Sequence, residues 1–116
     1  MEEEVIQYDI DFYSDKRGKV PTAWQLLTEL ARSQDKQSKS LYNAITFKLG
    51  ILRKIGTRDG MPNFRAIKGS RHKLWEVRVK HASGNNRIFF CAWNGKSFVL
   101  LNYFIKQKRP QKSKLL

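Results

Sequence analysis

Leu74-Trp-Glu-Val-Arg-Val-Lys80, then Arg87-Ile-Phe-Phe-Cys-Ala-Trp93, then Ser97-Phe-Val-Leu-Leu-Asn-Tyr-Phe-Ile105 decide the fold. In the first run Trp75, Val77 and Val79 alternate with Glu76, Arg78 and Lys80, the period of a half-buried strand. Asn94-Gly95 joins the other two runs, and that dipeptide favours a two-residue type I′ hairpin loop. Ser83-Gly-Asn-Asn86 supplies the turn between the first and second runs.

Register follows on paper. A two-residue loop pairs Trp93 with Lys96, Cys91 with Phe98, Phe89 with Leu100 and Arg87 with Asn102. In the earlier hairpin Lys80 is expected opposite Arg87, Val79 opposite Ile88, Val77 opposite Phe90 and Trp75 opposite Ala92. This register sets apolar residues against apolar ones, and a one-residue slip would bury Arg78 and Lys80. Directly opposed residues share a face. One face then carries Trp75, Val77, Val79, Ile88, Phe90, Ala92, Val99, Leu101 and Tyr103, the expected core. The other carries Glu76, Arg78, Lys80, Arg87, Asn102, Phe104 and Lys106, with Phe89, Cys91, Phe98 and Leu100 nearer the Asn-Gly end.

Working upstream, Phe64-Arg-Ala-Ile-Lys68 reads as a further strand, and Thr57 to Asn63, with Asp59-Gly60 and Pro62, as a loop. Leu41, Ala44, Ile45, Lys48, Leu49, Leu52 and Ile55 follow i, i+3, i+4, i+7 and predict a helix over 35–55, stopped by Gly56. Ala23, Trp24, Leu27, Leu30 and Ala31 predict a helix over 21–32, opened by Pro21. Tyr8 to Tyr13 alternates as a short first strand. The expected fold is α+β: a helix hairpin packed on one face of a twisted, mainly antiparallel sheet of four to five strands. At 116 residues the chain is expected to form one domain over 1–116, with 107–116 a basic tail.

Charge narrows the function. The chain has 23 Lys+Arg against 10 Asp+Glu, a net +13. Residues 1–63 hold +1 of this and residues 64–116 hold +12, with Glu76 the single acid of the second half. Like charges held together on adjacent strands repel unless a polyanion neutralises them. Arg78, Lys80, Arg87 and Lys106, beside Phe104, suit phosphates and unstacked bases. One cysteine, Cys91, excludes an internal disulfide and suits a cytoplasmic setting. No apolar run approaches the ~20 residues that span a bilayer, and the acidic N-terminus is not a signal peptide. No Cys/His/Asp cluster has metal-ligand spacing, and no Gly-rich phosphate loop is present, so no cofactor is expected. Cys91, Trp24 and Trp75 read as core. Trp93 reads as partly exposed, and His72 as an exposed loop residue.

The order of elements resembles the RelE/ParE toxin superfamily, nearest its HigB-like, phage-associated branch. Leu74-Trp-Glu-Val-Arg-Val-Lys80, Arg87-Ile-Phe-Phe90 and Phe98-Val-Leu-Leu-Asn-Tyr-Phe-Ile-Lys106 carry the likeness. Phe12-Tyr-Ser-Asp-Lys-Arg-Gly18 and Gly60-Met-Pro62 also fit. The resemblance spans about residues 8–108. It implies a ribosome-dependent endoribonuclease that cuts mRNA in the ribosomal A site and inhibits translation. It also implies restraint by a helix-turn-helix antitoxin encoded by a neighbouring gene. Arg78 and Arg87 match the family's basic sheet residues, Lys68 a basic position on the preceding strand, and Lys106 the basic end of the last strand. Lys108 or Arg109 matches the position just beyond. The chain departs from the pattern at Glu76, where some relatives have lysine, and at Asn102, where histidine is common. Relatives commonly continue into a C-terminal helix, whereas this sequence runs into a Pro-interrupted basic tail.

RNA cleavage through the 2′-OH needs a base, an acid and cations for developing charge. Lys80 or Lys106 is expected as base or proton carrier, with Arg78 and Arg87 on the phosphate. His81, at a strand end, is a further acid–base candidate. Two other readings share the fold class: a ParE-like gyrase inhibitor, and a non-catalytic nucleic-acid-binding module.

Overall fold

The computed structural model describes residues 8–60, 63–69, 73–82 and 84–106. Strand β1 (Asp9–Phe12) is followed by helices α1 (Thr22–Arg32) and α2 (Lys36–Ile55) and a 3-10 turn (Gly56–Asp59). Then come β2 (Phe64–Ala66), β3 (Leu74–His81), β4 (Gly84–Ala92) and β5 (Ser97–Lys106). The five strands form one mixed sheet in the order β1-β5-β4-β3-β2, antiparallel except where β1 joins β5. Both helices cover one face, giving the expected α+β fold. Among the described residues no helix is long and apolar enough to cross a membrane.

Local chemistry sets the helix ends. Asp35 caps α2: its carboxylate accepts from the Ser38 backbone N–H at 3.1 Å and from the Ser38 hydroxyl at 3.3 Å. Gly56 closes α2 at φ +66°, and a Cβ there would lie 3.1 Å from the Tyr8 ring. Pro21 lies one position before its expected place, as the N-cap of α1. The α1 start is tied to β5, because the Tyr103 N–H donates to the Thr22 hydroxyl at 2.7 Å.

The core lies between the helices and the sheet. Leu41, Ile45, Leu49 and Leu52 line the buried stripe of α2. They meet Phe64, Val77, Val79, Ile88, Phe90, Phe98 and Leu100. Phe90 is central, edge-on to Phe64 and Phe98 and stacked with Trp75. Trp24, expected in the core, is 40% exposed on α1.

The β3–β4 register differs from expectation by two residues. Val77 opposes Ile88, Arg78 opposes Arg87 and Val79 opposes Asn86. A shift of two leaves every side chain on its expected face. The apolar match of Val79 to Ile88 is given up because Asn86 is satisfied in the core. Its amide donates to the carbonyls of Val79 (3.4 Å) and Gly84 (3.2 Å), and its oxygen accepts from the Tyr103 hydroxyl at 2.6 Å.

The β4–β5 register corrects the sequence reading more deeply. The loop has three residues, Asn94 to Lys96: the Trp93 N–H donates to the Ser97 carbonyl at 2.9 Å, and Gly95 takes φ +80°. The Lys96 carbonyl is then turned toward β1 and accepts from the Asp9 N–H at 2.8 Å. One extra loop residue inverts the parity of early β5. Phe98 and Leu100 therefore fill the core, where Val99 and Leu101 were expected. A bulge between Ile88 and Phe90 restores the expected parity further along. Tyr103 thus faces inward opposite Ile88, and Phe104 faces outward opposite Arg87, in the place expected for Asn102.

Candidate functional site

The open face of the sheet carries a cleft of about 400 Å³ crossing β2 to β5. Arg65, Lys68, Arg87 and Lys106 line it with Glu76 and Phe104. All but Lys68 arrive by strand parity; β2 ends at Ala66, short of the expected Lys68, which enters from the turn that follows. Arg65 opposes Glu76 across β2 and β3, and Arg87 opposes Phe104 across β4 and β5. Phe104 packs against Phe89 with ring centres 5.1 Å apart and planes tilted by 33°, and the residue is 37% exposed at the cleft.

Glu76 organises the cations. Arg78 and Arg87 are directly opposed, which by itself is repulsive. The Glu76 carboxylate sits two positions from Arg78 on the same face. Its Oε1 lies 3.6 Å from Arg87 Nε and 3.9 Å from Arg78 Nε. Arg87 is almost wholly buried, and burial, then Arg78, then Arg65, lower its pKa against the opposing effect of Glu76. Its Nη1 is buried without a hydrogen-bond partner. A guanidinium held in this way is desolvated, which strengthens its attraction for negative charge.

The other sequence-stated residues divide. Lys68, Arg87, Phe104 and Lys106 meet in this cleft. Arg78 and Lys80 line a second one, on the α2 side of β3, which also reaches Arg87. The expected single cluster of Arg78, Lys80, Arg87 and Lys106 is therefore two clefts sharing Arg87. The two-residue shift causes this, since it carries Lys80 opposite Asn85 instead of Arg87. His81 Nε2 lies 3.1 Å from the Ser40 hydroxyl at the start of α2. Asn102 is exposed in the β5 bulge and lines neither cleft. Lys108, Arg109 and His72 lie outside the described residues.

Two residues of the first cleft were missed as site members. Arg65 was legible from parity, because Phe64 inside requires Arg65 outside. Glu76 reads from sequence as the single acid of the second half and a departure from the family pattern, on the open face. Its pairing with both arginines depends on register, which sequence did not supply.

At the other end of the open face lies an apolar groove of about 910 Å³, lined by Leu74, Cys91, Val99, Leu101, Tyr13 and Trp93 among others. Trp93 is 73% exposed there. Cys91 is half-buried and burial raises its thiol pKa, which suits packing more than reactivity. Among the described residues no group of three or more His, Cys, Asp or Glu is placed to hold a metal ion.

A family model described as phage derived protein Gp49-like (DUF891) matches residues 33–115. The chain belongs to the Gp49-like family. The match takes in α2, all the antiparallel strands and both clefts, so the cationic face of this Gp49-like chain lies within the family's own region. No curated protein matches the sequence significantly.

Proposed function

We propose that this Gp49-like protein is the toxin of a type II toxin–antitoxin pair, a ribosome-dependent endoribonuclease that cuts mRNA in the A site. The observation that carries the reading is the sheet cleft: four cations around one buried carboxylate, the desolvated Arg87 among them, and an exposed Phe104. Membership of the Gp49-like family, itself RelE/HigB-like, supports it.

The chemistry uses the RNA's own nucleophile. The 2′-oxygen bonds to phosphorus, the bond to the 5′-oxygen breaks, one proton leaves the 2′-OH and one reaches the 5′-oxygen. Arg87, with Arg65 and Lys68 at the same wall, stabilises the charge that develops on phosphate. Phe104 stacks a neighbouring base. Glu76 is engaged with two guanidiniums and holds Arg87 in place. Proton carriage falls to Lys106, exposed at the cleft, because Lys80 lines the other cleft. A helix-turn-helix antitoxin would restrain the protein.

Adding the purified protein to a translation extract and mapping mRNA 5′ ends tests the reading. Cuts within codons, only on translated message and lost in Lys106→Ala and Arg87→Lys proteins that remain folded, are expected. Uncut message with relaxed plasmid DNA would favour the gyrase-inhibitor alternative. Uncut message with tight RNA binding would favour the non-catalytic module.

A further inference from the structure

Beyond the point where the Arg78 N–H donates to the Asn63 carbonyl at 2.9 Å, no strand among the described residues continues β2 along its edge of β3, whose other edge is paired with β4 throughout. Helix α2 runs past this edge instead, and the second cleft, about 510 Å³, lies between them. Four of its lining residues are cationic, Lys48, Arg78, Lys80 and Arg87, and none is acidic. Phe47 stands at its side, 68% exposed. Both α2 residues depart from the helix's pattern. Phe47 is a large aromatic off the buried stripe, and Lys48 is a cation on it. The Lys48 ammonium donates to the Asn63 side-chain oxygen, which holds it at the cleft wall with donors to spare.

An exposed phenylalanine alone is unremarkable on a protein surface. Beside four cations and no acid it forms the combination that binds single-stranded nucleic acid: a platform for a base and charges for its phosphate. Arg87 lines both clefts, so they share one guanidinium at their boundary.

We propose that the α2–β3 cleft is a second RNA subsite, taking a nucleotide that flanks the one in the sheet cleft. Its base stacks on Phe47 and its phosphate lies among Lys48, Arg78 and Lys80. The proposal rests on the RNA reading above. It makes the bound substrate a run of several nucleotides bent over the free edge of β3, and it gives the protein a contact outside the cleavage position.

Fluorescence anisotropy with labelled single-stranded RNA tests it, using a dinucleotide that fills one cleft and a hexanucleotide that reaches both. Phe47→Ala is expected to weaken hexanucleotide binding about tenfold, the scale of one lost base stack, and to leave the dinucleotide unchanged. Lys48→Ala is expected to lower the salt slope for the hexanucleotide by about 0.7. Hexanucleotide binding indifferent to Phe47→Ala would overturn the subsite while leaving the sheet-cleft reading intact. Equal weakening of both probes would make Phe47 a structural residue and would also overturn it. Failure of the unaltered protein to bind either probe would overturn the subsite, whereas the ribosome-dependent reading stands or falls on the translation-extract cleavage. RNA binding indifferent to Phe47, with a hexaglutamate peptide dependent on it, would assign the cleft to an acidic protein partner instead.

Discussion

Arg87 and Glu76 meet across β4 and β3 with Nε 3.6 Å from Oε1, and both side chains are at least nine-tenths buried. The same carboxylate lies between Arg87 and the opposed Arg78. A buried ion pair contributes little net stability compared with an apolar pair, but losing one member leaves a costly orphan charge. Glu76→Gln is therefore expected to destabilise the fold by about 3–5 kcal/mol, more than surface substitutions such as Glu29→Gln. Urea denaturation of the two variants measures the difference.

The corrected β5 parity makes neighbouring residues unequal. Phe98 is buried against Phe90 and Tyr8, whereas Val99 faces the open side. Phe98→Ala should cost about 3–5 kcal/mol by cavity formation. Val99→Ala should cost well under half of that. Comparable losses in denaturation midpoint would contradict the three-residue loop.

Burial raises the pKa of both the Cys91 thiol and the Tyr103 phenol. The folded state then holds these protons more tightly than the unfolded chain. Their contribution is complete below the unfolded values and is lost as pH rises through the folded ones. Stability should thus begin to fall above about pH 8.5 for Cys91 and about pH 10 for Tyr103. Urea midpoints across alkaline pH should show this fall, and Cys91→Ala should remove its earlier part.

Tyr103→Phe should remove the later part and also lower stability at neutral pH. It takes the hydroxyl from the buried Asn86 oxygen, 2.6 Å away, and leaving that acceptor unpaired costs about 1–3 kcal/mol. Thermal unfolding at neutral pH gives the first effect, and the alkaline series gives the second.

Within the sheet cleft, phosphate contacts should register as salt dependence. Arg65→Ala and Lys68→Ala should each reduce the slope of log affinity for single-stranded RNA against log salt by about 0.7. Asn102→Ala, out in the bulge, should leave it unchanged. A salt titration of all three variants distinguishes a phosphate-lined cleft from general surface charge.

Much of the fold was legible because it rests on local patterns. Alternation placed the faces of β3 and β4, and those faces survived even a wrong register, since a shift of two residues preserves parity. Helical spacing placed α1 and α2 to within a residue. The β5 core was misread because Asn94-Gly95 signals a turn without stating how many residues it uses. The choice was made by β1, which hydrogen-bonds to the Lys96 carbonyl from the far end of the chain. Trp24 was misread because spacing marks a helical face but not how far the sheet beneath extends.

The sequence by itself determined the α+β order of elements, the concentration of charge after residue 63 and the presence of Arg78, Arg87 and Lys106 on an outward face. Only the tertiary structure decided which cations share a cleft. That choice turned on Asn86, which is polar and would be expelled from a core unless bonded. Val79, Gly84 and Tyr103 supply its partners from three positions in the sheet. Satisfying it sets the β3–β4 register, and the register places Arg78 opposite Arg87 with Glu76 between them. A hydrogen-bond network that joins three strands, with the Tyr103 hydroxyl brought in from β5, leaves no alternating pattern along any one of them.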